Sequence, residues 1–158
     1  MTFSLFSQTF ENGAEIPLRF TRDGENQSPS FSWQDLPEGT QSLALVVENP
    51  QGAVGPVVHW AIYNISPEHT TLPEGIVRTP HVSGIGTQAV NHFYRTGYDG
   101  PCATDGSGKC YNFRLFALDL PPNMARDMNA NDLMRSIQRH TLAQAEWTGQ
   151  YRQGDGSN

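Results

Sequence analysis

His59, Lys109 and Tyr111 are the residues whose types and positions could do chemistry. His59 lies inside an apolar run, Val57–Ile65, that reads as a strand. An imidazole there is either a core histidine held by its neighbours or the lining of a pocket, able to donate to an anion. Lys109 closes a glycine-rich loop. It is either a solvated loop lysine or the cation beside a nest of converging backbone N–H groups that holds an anion. Tyr111 starts the next strand and can aim its hydroxyl at the same spot. Cys102 and Cys110 bracket the loop. They are either separate thiols, as suits a reducing compartment, or a local disulfide. If Gly106 and Gly108 fold the loop back, the two Cα atoms can reach the roughly 4.4–6.8 Å that a disulfide needs. Such a bridge would remove about 2–3 kcal/mol of chain entropy from the unfolded state.

Other chemistries fail on spacing. Gly108-Lys109 resembles the end of a phosphate-binding P-loop. That motif needs a glycine where Ala103 stands, a Ser or Thr where Cys110 stands, and a helix where Tyr111 opens a strand. Ser107 lies between two glycines but outside a Gly-x-Ser-x-Gly elbow. His69, His81, His92 and His140 are scattered and have no metal-ligand spacing, and two cysteines supply half a zinc set. Asp99, Asp105 and Glu48 do not form an acid/base pair along the chain. The sequence therefore argues against an enzyme and implies no cofactor.

The elements that must position these groups are strands. From Gly97 to Gly108 the chain is turn chemistry, and from Tyr111 to Asp119 it alternates. Tyr111, Phe113, Leu115, Ala117 and Asp119 fall on one face, and Asn112, Arg114, Phe116 and Leu118 on the other. Ser42–Glu48 is almost continuously apolar, so it is expected to be covered on both faces. Period-two alternation places Val57, His59, Ala61, Tyr63 and Ile65 together, opposite Val58, Trp60, Ile62 and Asn64. Further strands are expected at Phe3–Phe6, Ser30–Trp33, Gln88–Asn91 and from Thr141 to Tyr151, with an edge strand at Ile16–Phe20 that contains Pro17. Asn131 is expected to cap a helix over 132–140, burying Leu133, Met134, Ile137 and His140.

The bulk properties agree. With 158 residues, 37% hydrophobic content, 15 Gly and 11 Pro, the chain fits one turn-rich domain of many short strands. The predicted fold is a mainly β, antiparallel two-sheet sandwich with a short helix near the C-terminus, spanning 1–152, followed by a disordered tail over 153–158. A net charge of −6 argues against nucleic acid and acidic membrane surfaces as partners, without excluding one basic pocket. No run of about 18 apolar residues is present to form a transmembrane helix. The N-terminus lacks a leader pattern, so the expected compartment is cytoplasmic, or periplasmic if a leader has been removed.

Several motifs in order carry a resemblance. They are Asp23-Gly24-Glu25-Asn26-x-Ser28-Pro29, Ser32-Trp33-x-x-Leu36-Pro37-Glu38-Gly39, His59-Trp60-Ala61-Ile62-Tyr63-Asn64-Ile65, Gly97-Tyr98-Asp99-Gly100-Pro101-Cys102, Phe113-Arg114-Leu115-Phe116-Ala117-Leu118-Asp119 and His140-x-Leu142-Ala143-x-Ala145. From Phe10 to Tyr151 the chain resembles the phosphatidylethanolamine-binding, or Raf-kinase-inhibitor-like, proteins in their compact bacterial branch of YbhB/YbcL type. The resemblance implies a β-sandwich and a non-enzymatic binding protein. Its small pocket would take phosphate, acetate-like anions, a phosphoethanolamine headgroup or a phosphorylated partner. A role in modulating a kinase or signalling protein, and a homodimer, are further implications. His59 matches the first pocket histidine and Tyr111 the pocket tyrosine. Gly97, Tyr98, Gly100 and Pro101 match the loop that walls the pocket.

Three departures change the chemistry. The family's Asp-Pro-Asp-Ala-Pro loop reads Asn49-Pro50-Gln51-Gly52-Ala53, so both acids are amides. The second pocket histidine is Lys109, and a double proline is Ala103-Thr104. Losing two carboxylates and gaining an ammonium moves the site about three charges towards positive. Anion binding should survive this, while recognition of a cationic ethanolamine group should weaken if those acids were its partners. The alternative is a protein-interaction or structural module whose pocket has decayed.

Overall fold

A computed structural model describes residues 2–52, 55–102 and 109–151, with the side chain at 109 outside the description. The proposed tail also falls outside it. Among the described residues there are nine strands and one α-helix. The strands are β1 (Ser4–Phe6), β2 (Phe31–Gln34), β3 (Ser42–Asn49), β4 (Val57–Ile65), β5 (Thr71–Leu72), β6 (His81–Val82), β7 (Gly86–Gln88), β8 (Lys109–Leu118) and β9 (Thr141–Tyr151). The helix, α1, is Ala130–Gln138. The sheets run β1-β2-β5 and β6-β7-β4-β3-β8-β9, and neighbouring strands pair antiparallel. The sandwich read from the sequence is the fold observed.

β3 is central in the larger sheet, and every one of its residues is buried. Leu43, Leu45 and Val47 enter the core between the sheets with Phe31, Trp33, Phe113 and Leu115. Ala44 and Val46 face a second core capped by Leu133 and Ile137 of α1. Two hydrophobic layers therefore share one strand, the physical reason for its unbroken apolar run.

Three local expectations are corrected. Ile16–Phe20 is not a strand. The backbone of Ile16 donates to Gln150 of β9 at 2.8 Å, then Pro17 diverts the chain into a 3-10 turn, Leu18–Phe20, closed by Phe20 N–H on Pro17 O at 3.0 Å. α1 starts two residues before the expected position, because Asn129 and not Asn131 is its cap. The Asn129 backbone is extended, and its Oδ1 accepts from Asp132 N at 2.8 Å. Asn131 Oδ1 instead meets His92 Nε2 at 2.9 Å. The two faces of β4 also differ from strict alternation. Leu43 and Leu45 of β3 pair with Ile65 and Ile62, and Val47 and Glu48 pair with Trp60 and Val58, so β4 carries an extra residue at each place. Val58 consequently shares a face with Ala61 and Tyr63, and Ile65 shares one with Trp60 and Ile62.

Candidate functional site

His59 is the extra residue between Val58 and Trp60, a β-bulge in the register of β3 against β4. A bulge breaks the alternation and re-aims the side chain it carries. The His59 ring meets Tyr111 edge-on at 5.1 Å between centroids and 87° between planes, although β3 separates their strands. It also meets Phe93, at 4.9 Å and 71°. His59 Nδ1 lies 2.8 Å from the backbone oxygen of Asp99. A carbonyl can only accept, so Nδ1 carries the proton and donates. The Asp99 N–H returns a bond to His59 O at 3.1 Å. The tautomer and plane of the ring are thus set by backbone. His59 is 2% exposed and Tyr111 1%, so the two rings are buried against each other.

The expected wall, the segment from Gly97 to Pro101, runs beside His59. Gly97 has φ +100°, and a Cβ there would lie 3.3 Å from the Arg78 backbone. Tyr98 donates its hydroxyl to Phe20 O at 2.6 Å and stands edge-on to Trp60 at 5.5 Å. Burial, then the neighbouring Tyr111 and Asp99, push its ionisation far above the ordinary tyrosine range, so it remains a neutral donor. The Asp99 side chain is fully buried. Its Oδ1 accepts from Asn26 Nδ2 at 3.0 Å, Arg95 at 2.8 Å and Arg78 at 3.1 Å, and its Oδ2 from Asn91 Nδ2 at 2.7 Å. Gly100 N–H donates to Asn26 Oδ1 at 2.8 Å, and a Cβ on Gly100 would stand 2.1 Å from Phe20 O. Pro101 O accepts from Arg22 N–H at 2.8 Å.

Around this segment lie residues that sequence reasoning missed. Arg22 Nε donates to Gly100 O at 2.8 Å, and the guanidinium lies over the Phe93 ring at 4.3 Å. Asp23 Oδ2 accepts the Tyr151 hydroxyl at 2.6 Å, and its Oδ1 lies 3.6 Å from Cys102 Sγ. Burial, then the bond to Asp23, raises the Tyr151 ionisation. Asn91 links the parts. Its Nδ2 reaches Gly97 O at 3.0 Å and His59 O at 3.3 Å as well as Asp99, while its Oδ1 accepts from Phe93 N at 2.8 Å and Arg95 N at 3.2 Å. The one sequence signal was the Asp23-to-Pro29 motif. It identifies the segment but not its contact with the wall.

The remaining expected residues are placed as follows. Asn49 is buried, and its Oδ1 accepts from Gln51 N at 2.9 Å, shaping its own turn, while Gln51 is exposed. The Lys109 backbone pairs with Tyr151, whereas its side chain lies outside the described residues, as does Ala53. The Cys102–Cys110 bridge that the sequence left open is not formed. Both are half-buried thiols, Cys102 turned to Asp23 and Cys110 in β8 opposite Gln150. Among the described residues, no group of three His, Cys, Asp or Glu side chains could hold a metal ion. A surface groove of about 650 Å³ runs between His81, Asn64 and Met124, but none of its lining residues belongs to this site. The buried polar convergence at His59 is the better candidate for chemistry.

The arrangement is an antiparallel two-sheet sandwich with a buried, backbone-oriented histidine beside a glycine-rich segment. The family model for phosphatidylethanolamine-binding protein matches residues 6–152, and the chain belongs to that family. It is 40% identical to a UPF0098 protein of Aquifex aeolicus over 94% of this chain and 87% of that protein. It is 34% identical to a UPF0098 protein of Methanothermobacter thermautotrophicus over 96% and 99%. Among solved structures it superposes on the phosphatidylethanolamine-binding protein homolog CT736 of Chlamydia trachomatis with a TM-score of 0.81. The two are 32% identical over 95% of this chain and 97% of that one. Escherichia coli YbcL, described as a new member of the mammalian family, gives 0.84 at 25% identity over 95% and 98%. No helix among the described residues is long and apolar enough to cross a membrane.

Proposed function

We propose that the chain is a non-enzymatic binding protein whose pocket over His59 and Tyr111 takes a small anion or a phosphorylated group, on a headgroup or on a protein partner. One observation carries this reading. His59 is a buried imidazole with Nδ1–H committed to Asp99 O, on a floor shared with Tyr111. In its protonated form Nε2 becomes a charge-assisted donor to an oxyanion. The amides at Asn49 and Gln51 remove two negative charges that the family pattern would place there. Regulation of a signalling protein through a phosphorylated residue and assembly as a homodimer extend the same proposal.

The test is titration with inorganic phosphate at low salt, followed by NMR of the His59 ring. Phosphate should shift those signals, and His59→Ala should weaken binding about tenfold or more, the scale of one charge-assisted hydrogen bond. Lys109→Ala should weaken it also. Equal affinity in His59→Ala would place the anion elsewhere. A wild-type protein that ignores phosphate would favour the second reading, an interaction module with an inert pocket. The use of Asn49 Oδ1 in its own turn is the observation on that side.

A further inference from the structure

We infer that the groove between the β6–β7 hairpin and residues 122–126 is a second binding site, for a small organic anion. The groove is separate from His59, which lies near one end of β4, whereas Asn64 in the groove lies near the other. Its charge favours an anion. His69, His81 and Arg126 line it, and none of its lining residues is an acid, in a chain with 16 Asp and Glu and a net charge of −6. Glu68 and Asp127 adjoin His69 and Arg126 in sequence, but they are exposed and outside the lining, where solvent screens them. The groove therefore presents one permanent positive group and two titratable ones.

Three separate elements bring these groups to one place. His81 opens β6, His69 lies in the turn after β4, and Arg126 belongs to the segment between β8 and α1. That segment is tied to the end of β4. Asn64 Oδ1 accepts from Met124 N at 2.8 Å, Asn64 Nδ2 donates to Met124 O at 2.9 Å, and the Tyr63 hydroxyl donates to Ala125 O at 2.6 Å. Asn64 holds a left-handed backbone at φ 58°, which asparagine tolerates better than most residues. The His69 turn is held by His69 N–H on Ser66 O at 3.1 Å and by Trp33 Nε1 on His69 O at 2.9 Å. The backbone of these walls is thus fixed. Among the described residues, the side chains of His69, His81 and Arg126 have no hydrogen bond or ion pair, and they remain available to a ligand.

Size and lining define the ligand class. A volume of about 650 Å³ is that of a small-molecule site. Ile85, Pro122 and Met124 offer apolar contact to a carbon skeleton, while the two imidazoles and the guanidinium donate to oxygens. A guanidinium fork matches a carboxylate or two oxygens of a phosphate ester equally well. The shared chemistry is an oxyanion on a short carbon chain.

Citrate, glycerophosphate and inorganic phosphate are titrated separately at constant ionic strength into wild type, Arg126→Gln and the double variant His69→Gln/His81→Gln. NMR detection is at the backbone amides of Gly84, Gly86 and Ala125 and at the His69, His81 and His59 rings. The expected result is a saturable shift of the groove signals with an organic anion. Each variant should lose affinity by about tenfold or more, the scale of one charge-assisted hydrogen bond. Binding of citrate supports the inference with a carboxylate as source, and binding of glycerophosphate supports it with a phosphate ester as source. Inorganic phosphate bound as tightly as the organic anions overturns it, because the apolar lining then contributes nothing. Shifts confined to the His59 ring overturn it and leave the reading of that pocket intact. Unchanged affinity in either variant, or no groove shift with any of the three anions, overturns it also. Arg126 and His81 are exposed, so the fold does not depend on them. If the double variant does not fold, Arg126→Gln decides alone.

Discussion

Asp99 is the residue on which the site's geometry hangs. Its backbone orients His59, and its side chain gathers Asn26, Asn91, Arg78 and Arg95. The two arginines are exposed enough to be rehydrated when the carboxylate is removed, so they contribute little to the loss (side-chain exposures 36% and 57%). The Asn26 amide is the costly part. Asn91 Nδ2 keeps Gly97 O and His59 O, whereas Asn26 Nδ2 loses Asp99, and an unsatisfied buried donor costs about 1–3 kcal/mol. Asp99→Ala should therefore lower stability by about 1–3 kcal/mol in urea unfolding. A change below about 0.5 kcal/mol would show that water replaces the carboxylate without loss.

At the scale of elements, the bulge in β4 and the wall segment work as a pair. The bulge takes His59 out of the strand's alternation, and the wall's backbone fixes the ring's direction. That wall can lie so close to the 3-10 turn only because position 100 has no side chain. A methyl group there would meet Phe20 O at 2.1 Å and Thr21 Cα at 3.0 Å, both backbone atoms that cannot swing aside. Gly100→Ala should push the wall outwards, lengthen the His59 Nδ1–Asp99 O contact and cost about 1–3 kcal/mol, the usual range for overpacking. The His59 ring NH signal reads the first effect and thermal unfolding the second. An unshifted ring signal in a destabilised protein would show that wall and bulge are not coupled.

Across the whole molecule, the two cores on either face of β3 bury hydroxyl groups as well as hydrocarbon. Tyr98 is the extreme case, its ionisation raised mainly by burial, and Tyr63 and Tyr151 are raised in the same direction. The unfolded chain releases these protons near pH ~10 while the folded chain keeps them. Their stabilising effect is therefore complete below about pH 10 and is lost as pH climbs towards the folded values. Urea midpoints from pH 8 to 11 should fall steeply in the wild type. The slope should be shallower in Tyr98→Phe, which also starts lower for want of the bond to Phe20 O. Parallel slopes would mean that another group governs alkaline unfolding.

The sequence by itself determined the sandwich and its central strands. Alternation is a local property, and it assigns Tyr111, Phe113 and Leu115 to the inter-sheet core where they are found. The His59 motif and the glycines of the wall were legible for a similar reason, since a strand, a turn and an apolar run are each written in consecutive residues. Tertiary structure decided the rest. The inserted residues of β4 depend on the register of β3 beside it, so no pattern within Val57–Ile65 announces that Val58 joins Ala61. Asn129 outcompetes Asn131 as a cap because His92, 39 positions earlier in the chain, engages Asn131. Arg22 reaches Gly100 across 78 positions and Tyr151 reaches Asp23 across 128. Contacts of that separation are fixed by how the sheets and loops pack, and those of Arg22 and Asp23 beside the Gly97–Pro101 segment belong to them.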